Sequence, residues 1–465
     1  RLRPSRDRST MAVMSFDGWL PAPGQARGAH LIEFLEALLV RCEELAEGRD
    51  WTQVAVGARD MLDAIRSAVA TEPPGIAVFD FAAETVHAHL TTVGAAFDDV
   101  DPLVAAVACA RAVDDIWGDD LAAEWAELLA SRGDKIEPGD IVMSAGSDHI
   151  ADLYSLGRAF SAPRFRAADG AGRTRRAGIY RPQPGVPSVL VDRSLSRVLA
   201  PALATGDQRA RPWVAGVPNA SSAEWEFDRP PIRPRDRAGH LEATERVVAD
   251  AFGLDAAVVV LPEFSGYVDV IDRLRQARPQ RPTLVVAGSG HESTGKTLRN
   301  VASTWIARPD GTIPPDQPIR TLKRVPYDGA LGTEPLTDVA STITVHISGP
   351  WRMAIGICRD LCDPAITDAL AQLGVNLLVV PACSPKTTNL ARGAEAVAVD
   401  AGGFALVANG PPTFEQPNRP PAKVATAIWC TPLDRTEPRL MASTDTAGVV
   451  LVDLDGHRLI PNPWP

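Results

Sequence analysis

The chain has 465 residues, 45% of them hydrophobic and 23% charged, with a net charge of −11. That length is about three ~150-residue domains, so two or three domains are expected, and the composition excludes a wholly disordered chain. The acidic balance argues against nucleic acid as a partner, and no apolar run approaches the ~18–20 residues of a membrane helix.

Arg1-Leu2-Arg3-Pro4 has no apolar stretch behind it, so no secretory signal is expected. The six cysteines (Cys42, Cys109, Cys358, Cys362, Cys383 and Cys430) are too scattered for a disulfide scaffold, which points to a reduced, cytoplasmic setting. Leu31, Phe34, Leu35, Leu38 and Leu39, then Leu62, Ile65 and Val69, recur at helical spacing. Leu103–Trp117 and Leu121–Ala130 read as two further helices, alanine-rich and acidic. The acids from Asp114 to Asp120 read as a solvated helix end, because no second acidic motif sits at a distance suited to sharing Mg²⁺. His87 and His89, two apart on a helix, point to different faces, and neither a metal nor a cofactor is expected. Phe97-Asp98-Asp99 has the look of a polymerase acid pair but lacks companion motifs.

From Pro163 to Pro187 arginines stand among Gly and Pro, which reads as an exposed connection closing a mostly helical domain over residues 1–205. Arg229-Pro230-Pro231-Ile232-Arg233-Pro234-Arg235 must be a loop. Beyond about residue 210 the pattern becomes β/α alternation. Strands are expected near Pro212–Pro218, Ala256–Leu261, Thr283–Ala287, Ala302–Ala307, Thr342–Ile347, Met353–Ile357, Leu377–Val380, Ala405–Val407 and Gly448–Val452. Helices are expected at His240–Phe252, Ala365–Leu373 and Leu390–Ala401. Continuous apolar strands between helices imply a layered α/β domain buried on both sheet faces, over residues 206–465.

Three places in this half carry chemistry. Val258–Leu261 runs into Pro262-Glu263, a carboxylate at a buried strand end. Lys323 is one of five lysines in a chain with 42 arginines. Met353–Ile357 ends in Cys358, and Asp363-Pro364 then opens a helix with Asp as cap and Pro at its first turn. A cysteine at such a turn is exposed to helical N–H groups that favour its thiolate.

The order Glu263, Lys323, Cys358 on successive strand ends resembles the nitrilase (carbon–nitrogen hydrolase) superfamily over roughly residues 210–455. Val258-Val259-Val260-Leu261-Pro262-Glu263 is similar to that family's hydrophobic-Pro-Glu signature, and Gly356-Ile357-Cys358-Arg359-Asp360 to its Gly-x-x-Cys-x-Asp element. Asn376–Pro381 and Ala408-Asn409-Gly410 match its later strands. The resemblance implies a four-layer α-β-β-α sandwich and a Glu-Lys-Cys triad. Cys358 is then the nucleophile that forms a thioester, Glu263 the general base and acid, and Lys323 an oxyanion donor together with the backbone N–H of Arg359. An orienting second glutamate is common in the family; Glu334 is the nearest candidate, with Asp328 as its rival. Arg359 stands where many members carry an aromatic residue, which argues against nitrile cleavage and makes substrate assignment by analogy unsafe.

The expected function is therefore hydrolysis of a carboxamide or N-carbamoyl C–N bond by a homo-oligomeric cytoplasmic enzyme acting on a small-molecule amide. The alternatives are an assembly, sensing or regulatory module of a multidomain bacterial protein, including a defence-related one, and an acyltransferase in which an amine resolves the thioester.

Overall fold

The computed structural model describes residues 187–204, 210–227, 230–312, 318–329, 332–348, 351–416, 419–431, 438–454 and 457–464, together with isolated positions and short stretches before residue 181. The helices expected at 31–40 and 62–69, the acids at 114–120, the 97–99 motif and His87 and His89 lie outside the described residues. The chain forms two compact units, 1–128 with 160–180 and 129–159 with 181–465.

In the first unit residues 103–110 are helical, and Asp101 caps them by accepting the Leu103 N–H at 2.9 Å. The 163–187 stretch, expected as a bare connection, contains paired strands: Phe165–Arg166 with Ala171–Arg173, and Ala171–Arg173 with Ala177–Tyr180.

Among the described residues of the second unit, fifteen strands form two sheets. They are β1 (Lys135–Ile136), β2 (Ser188–Asp192), β3 (Trp213–Val217), β4 (Val258–Val260) and β5 (Thr283–Thr294). Next come β6 (Thr297–Ala307), β7 (Ile319–Leu322), β8 (Thr342–Ser348), β9 (Trp351–Ile355) and β10 (Leu377–Ala382). The last are β11 (Phe404–Asn409), β12 (Ala427–Cys430), β13 (Arg439–Ala442), β14 (Gly448–Asp453) and β15 (Arg458–Pro463). One sheet runs β1-β2-β8-β9-β10-β11-β12-β13 and the other β7-β6-β5-β4-β3-β14-β15. Among residues 187–464 the described α-helices are the short Leu199–Leu203 and then α1 (Arg237–Gly253), α2 (Val268–Leu274), α3 (Pro364–Gln372) and α4 (Thr387–Ala401).

The centres of both sheets are parallel, β3-β4-β5 in one and β9-β10-β11 in the other. β3, β4, β9, β10 and β11 are buried along their whole length and β5 as far as His291, as a sheet covered on both faces requires. The sheets face each other through β3 against β11 and β5 against β10. Between them Trp213 meets Trp429 edge-on at 5.1 Å, and Phe404 stacks on Trp429 at 5.2 Å. Outside, α1 covers β3 and β14, and α4 covers β10, β11 and β12. The α-β-β-α sandwich is thereby built.

The expected boundary lies at 205/206. β2 lies before it, yet pairs in parallel with β8 from Ser188↔Thr342 to Asp192↔His346. Its alternation of buried Val189 and Val191 with exposed Leu190 marks a strand with one face in the core.

Candidate active site

Val258–Val260 is a β-branched, fully buried strand, and Pro262 ends the run so that Glu263 sits at its tip. The Glu263 N–H donates to the Ala382 carbonyl at the end of β10, 3.2 Å away, so one strand end of each sheet meets here. Gly288 lies in the left-handed region, and a Cβ there would strike the Pro262 carbonyl.

Cys358 follows β9 in a short 3₁₀ turn, Cys358–Cys362, with φ of +45°, an unfavourable conformation for a non-glycine residue. Asp360 holds the turn in that shape. Its carboxylate accepts the N–H groups of Ile357 (2.9 Å), Arg324 (3.0 Å) and Val325 (2.8 Å), which clamps the cysteine turn to the segment that follows Lys323. The expected Asp363-Pro364 helix start is present, with the Asp363 side chain accepting the Ala365 N–H at 2.9 Å.

Lys323 is fully buried, and its ammonium donates to Glu263 at 2.6 Å and to Glu334 at 2.7 Å. Asn300 donates its amide to the same two carboxylates, at 2.9 and 2.8 Å. His291 binds Glu334 at 2.7 Å. Glu334 reaches this cluster because the chain between Tyr327 and Glu334 folds into a hairpin, with Asp328 opposite Thr333 and the Glu334 N–H on the Tyr327 carbonyl at 2.8 Å. Asp328, the rival for the orienting role, is exposed and accepts from the Thr333 hydroxyl. Arg359 is not part of the buried cluster: its guanidinium donates outward to the Asp328 carbonyl at 2.9 Å.

The electrostatics separate the two carboxylates. Burial pushes Glu263 up, and the neighbouring Glu334 charge adds to this, against the pull of Lys323. At Glu334 burial is outweighed by the His291 hydrogen bond and by Lys323, and its carboxyl falls to about 2. Burial alone would lower Lys323, but Glu263, Cys358 and Glu334 hold its ammonium firmly charged.

Cys358 is almost fully buried, its thiol donates to the Cys383 carbonyl at 3.9 Å, and it lies within electrostatic reach of Glu263. Burial and then the Glu263 charge raise its pKa well above the ordinary thiol value, with Lys323 opposing. Burial beside a carboxylate thus outweighs the Lys323 charge, and the thiol is held neutral, because the turn places the sulfur in the core. The chemistry on offer is concerted: a neutral thiol whose proton passes to a basic carboxylate as the sulfur attacks, beside a fixed ammonium.

Sequence reasoning missed Asn300, His291 and Cys383, and had Asp360 in the cysteine motif without a role for it. The signal for the first two lay in Gly295-Lys296, which turns β5 into β6 and sets His291 directly opposite Asn300 on one face. Asn409, flagged as a strand end, anchors the loop after β10 by accepting the Ser384 N–H at 2.8 Å and donating to the Ala425 carbonyl at 2.9 Å. Among the described residues no three His, Cys, Asp or Glu side chains are placed to hold a metal ion, and no helix is long and apolar enough to cross a membrane.

The chain is similar to nitrilase-superfamily amidases. A nitrilase-superfamily amidase from Nesterenkonia AN1, solved with its cysteine changed to alanine, is 19% identical over 52% of this chain and 90% of its own, with a TM-score of 0.38. An amidase from Nesterenkonia sp. gives the same identity and coverages, 19%, 52% and 90%, with a TM-score of 0.39. A glutamate-to-glutamine variant of the amidase from Nesterenkonia sp. AN1, showing Michael addition of acrylamide at its active-site cysteine, is 19% identical over 48% of this chain and 89% of its own, with a TM-score of 0.37. No protein-family model and no curated protein matches the chain.

Proposed function

We propose that the site hydrolyses a non-peptide C–N bond, in a carboxamide or an N-carbamoyl compound, through a thioester on Cys358. The observation that carries this reading is the buried contact of Lys323 with Glu263, 2.6 Å, with the buried Cys358 thiol within electrostatic reach of both.

In this reading Cys358 attacks the carbonyl carbon while Glu263 takes the thiol proton. The oxygen gains the electron pair of the broken C=O π bond and is met by the Lys323 ammonium and the Arg359 backbone N–H. Collapse expels the nitrogen, which receives the proton from Glu263 and leaves as ammonia or an amine. Glu263 then deprotonates water for attack on the thioester, and the thiol regains a proton as the acid departs. Donors of the Lys323 kind contribute on the order of 10²–10³ in rate each. Glu334 orients Lys323 and takes no part in proton transfer.

The test is incubation with a panel of aliphatic, aromatic and N-carbamoyl amides, with product analysis and intact-mass detection of the acyl-enzyme. Ammonia or amine release with an adduct on Cys358, both lost in Cys358→Ala while the fold persists, supports the reading. Turnover retained in Cys358→Ala, or neither adduct nor product across the panel, overturns it. A product in which an added amine replaces water would move the assignment to acyl transfer.

A further inference from the structure

Glu263 and Glu334 share two donors, the Lys323 ammonium and the Asn300 amide. Shared donors cannot tell the two carboxylates apart, so their difference must come from their remaining partners. Glu263 faces the Cys358 thiol. Glu334 accepts the Tyr327 N–H at 2.9 Å and meets His291 Nε2 at 2.7 Å.

The state of His291 follows from its other nitrogen. Nδ1 accepts the Ile232 backbone N–H at 3.0 Å, and a backbone amide can only donate. Nδ1 is therefore unprotonated, and the proton of a neutral ring sits on Nε2, aimed at Glu334. The side chain is fully buried and packs edge-on to Phe264, 5.1 Å between ring centres. A protonated ring would have to give up the Ile232 bond, and with it the tie to the Pro230–Arg235 loop.

We propose that His291 is the positioning residue that divides the labour between the two buried carboxylates: its Nε2–H holds Glu334 as the permanent anion and leaves Glu263 to take and return protons. This rests on the hydrolytic reading of the site.

The other titratable groups around the cluster do not supply that asymmetry. Cys358 and Cys383 are thiols whose burial keeps them neutral. Asp360 lies within electrostatic range of Lys323 and Arg324, but its oxygens are taken by three backbone N–H groups. Glu292, next to His291 on β5, pairs instead with Arg320. The directions agree: burial pushes both carboxylates up, and at Glu334 the His291 bond leads the groups that reverse it.

The experiment compares wild type with His291→Phe and His291→Met, which have no donor, and His291→Gln. The Gln amide can both donate to Glu334 and accept from Ile232. Two rates are followed from about pH 4 to about pH 9, the span in which carboxylates and thiols titrate. One is kcat/KM for an amide substrate. The other is alkylation of Cys358 by iodoacetamide, which needs Glu263 to take the proton but no amide turnover.

Without the His291 donor the first proton divides between two similar carboxylates, so the acid limb of both profiles should broaden toward lower pH by about one unit. His291→Gln should restore the wild-type limb. A purely structural histidine would scale the whole profile and leave its limb in place. A wild-type limb in both donorless variants, or a limb in His291→Gln displaced as far as in His291→Phe, would overturn the assignment. If no form turns over an amide while the alkylation limbs move as stated, the hydrolytic reading falls and the role of His291 stands.

Discussion

At the scale of single residues, the site is a buried ammonium bridging two buried carboxylates, and its stability has a pH signature. Removing one partner of a buried ion pair costs about 3–5 kcal/mol, because the remaining charge is left without compensation. The carboxyl of Glu334, at about 2, lies below the ordinary glutamate value near 4.3. Its contribution is therefore in place above about pH 4.3 and is lost as the pH falls through about 2. A shift of roughly two units corresponds to on the order of 3 kcal/mol. Glu263 has the opposite sign: its carboxyl is raised, so its share is complete at low pH and lost as the pH rises through the folded value. Glu334→Gln should lower stability at neutral pH by about 3 kcal/mol and remove most of the loss between about pH 4 and about pH 2. Denaturant unfolding of both proteins across that range measures it. A variant that loses stability toward acid as steeply as wild type would show that Glu334 does not carry the acid limb.

At the scale of elements, the Cys358 turn is held from three sides. Asp360 ties it to the segment after Lys323, Asp363 caps the helix behind it, and α4 presses on it through Gly393. A Cβ at Gly393 would collide with the Leu361 carbonyl inside the turn, and backbone cannot yield as a side chain can. Gly253, at the end of α1, has nothing within 4 Å of an added Cβ. Gly393→Ala should therefore cost about 1–3 kcal/mol and reduce Cys358 reactivity, because the strained φ of +45° depends on the turn's surroundings. Gly253→Ala, the control, should be neutral or stabilising by up to about 1 kcal/mol. Thermal midpoints together with alkylation rates decide the matter. Equal effects of the two substitutions would mean that α4 does not support the turn.

At the scale of the whole molecule, β2 is the strand that a boundary at 205/206 would cut away. It covers the edge of β8, whose Ile343, Val345 and Ile347 are only 2–3% exposed. Losing Val189 and Val191 alone forfeits about 3–6 kcal/mol of burial, at about 1.5–3 kcal/mol each, and leaves an apolar strand edge ready to pair with other chains. A fragment of residues 206–465 should therefore aggregate or melt well below one of residues 187–465, and the latter should stay monodisperse. Size-exclusion profiles and melting temperatures of the two fragments provide the comparison. Matching behaviour would show that β2 is dispensable to the sandwich.

Much of this was legible from residue order alone. Uninterrupted apolar runs such as Val258–Val260 and Leu377–Val380 can be stable only where both sheet faces are covered, so they determined a layered α/β domain. Glu263, Lys323 and Cys358 each have an ordinary structural reading alone; it was their order and the surrounding motifs, which resemble the nitrilase superfamily, that marked them. The edge strands β7, β13 and β15 were not legible, because edge strands are short and of mixed polarity and gain their order from a neighbour. Nor could the sequence choose between Glu334 and Asp328, which needed the hairpin that turns Glu334 inward. The sign of the Cys358 shift was likewise out of reach. Proximity of Lys323 argues for thiolate and burial argues against it, and only packing decides how much water remains around the sulfur. Local chemistry is written in single residues, whereas the protonation of a buried cluster is a property of all its members and their solvent, which tertiary structure alone assembles.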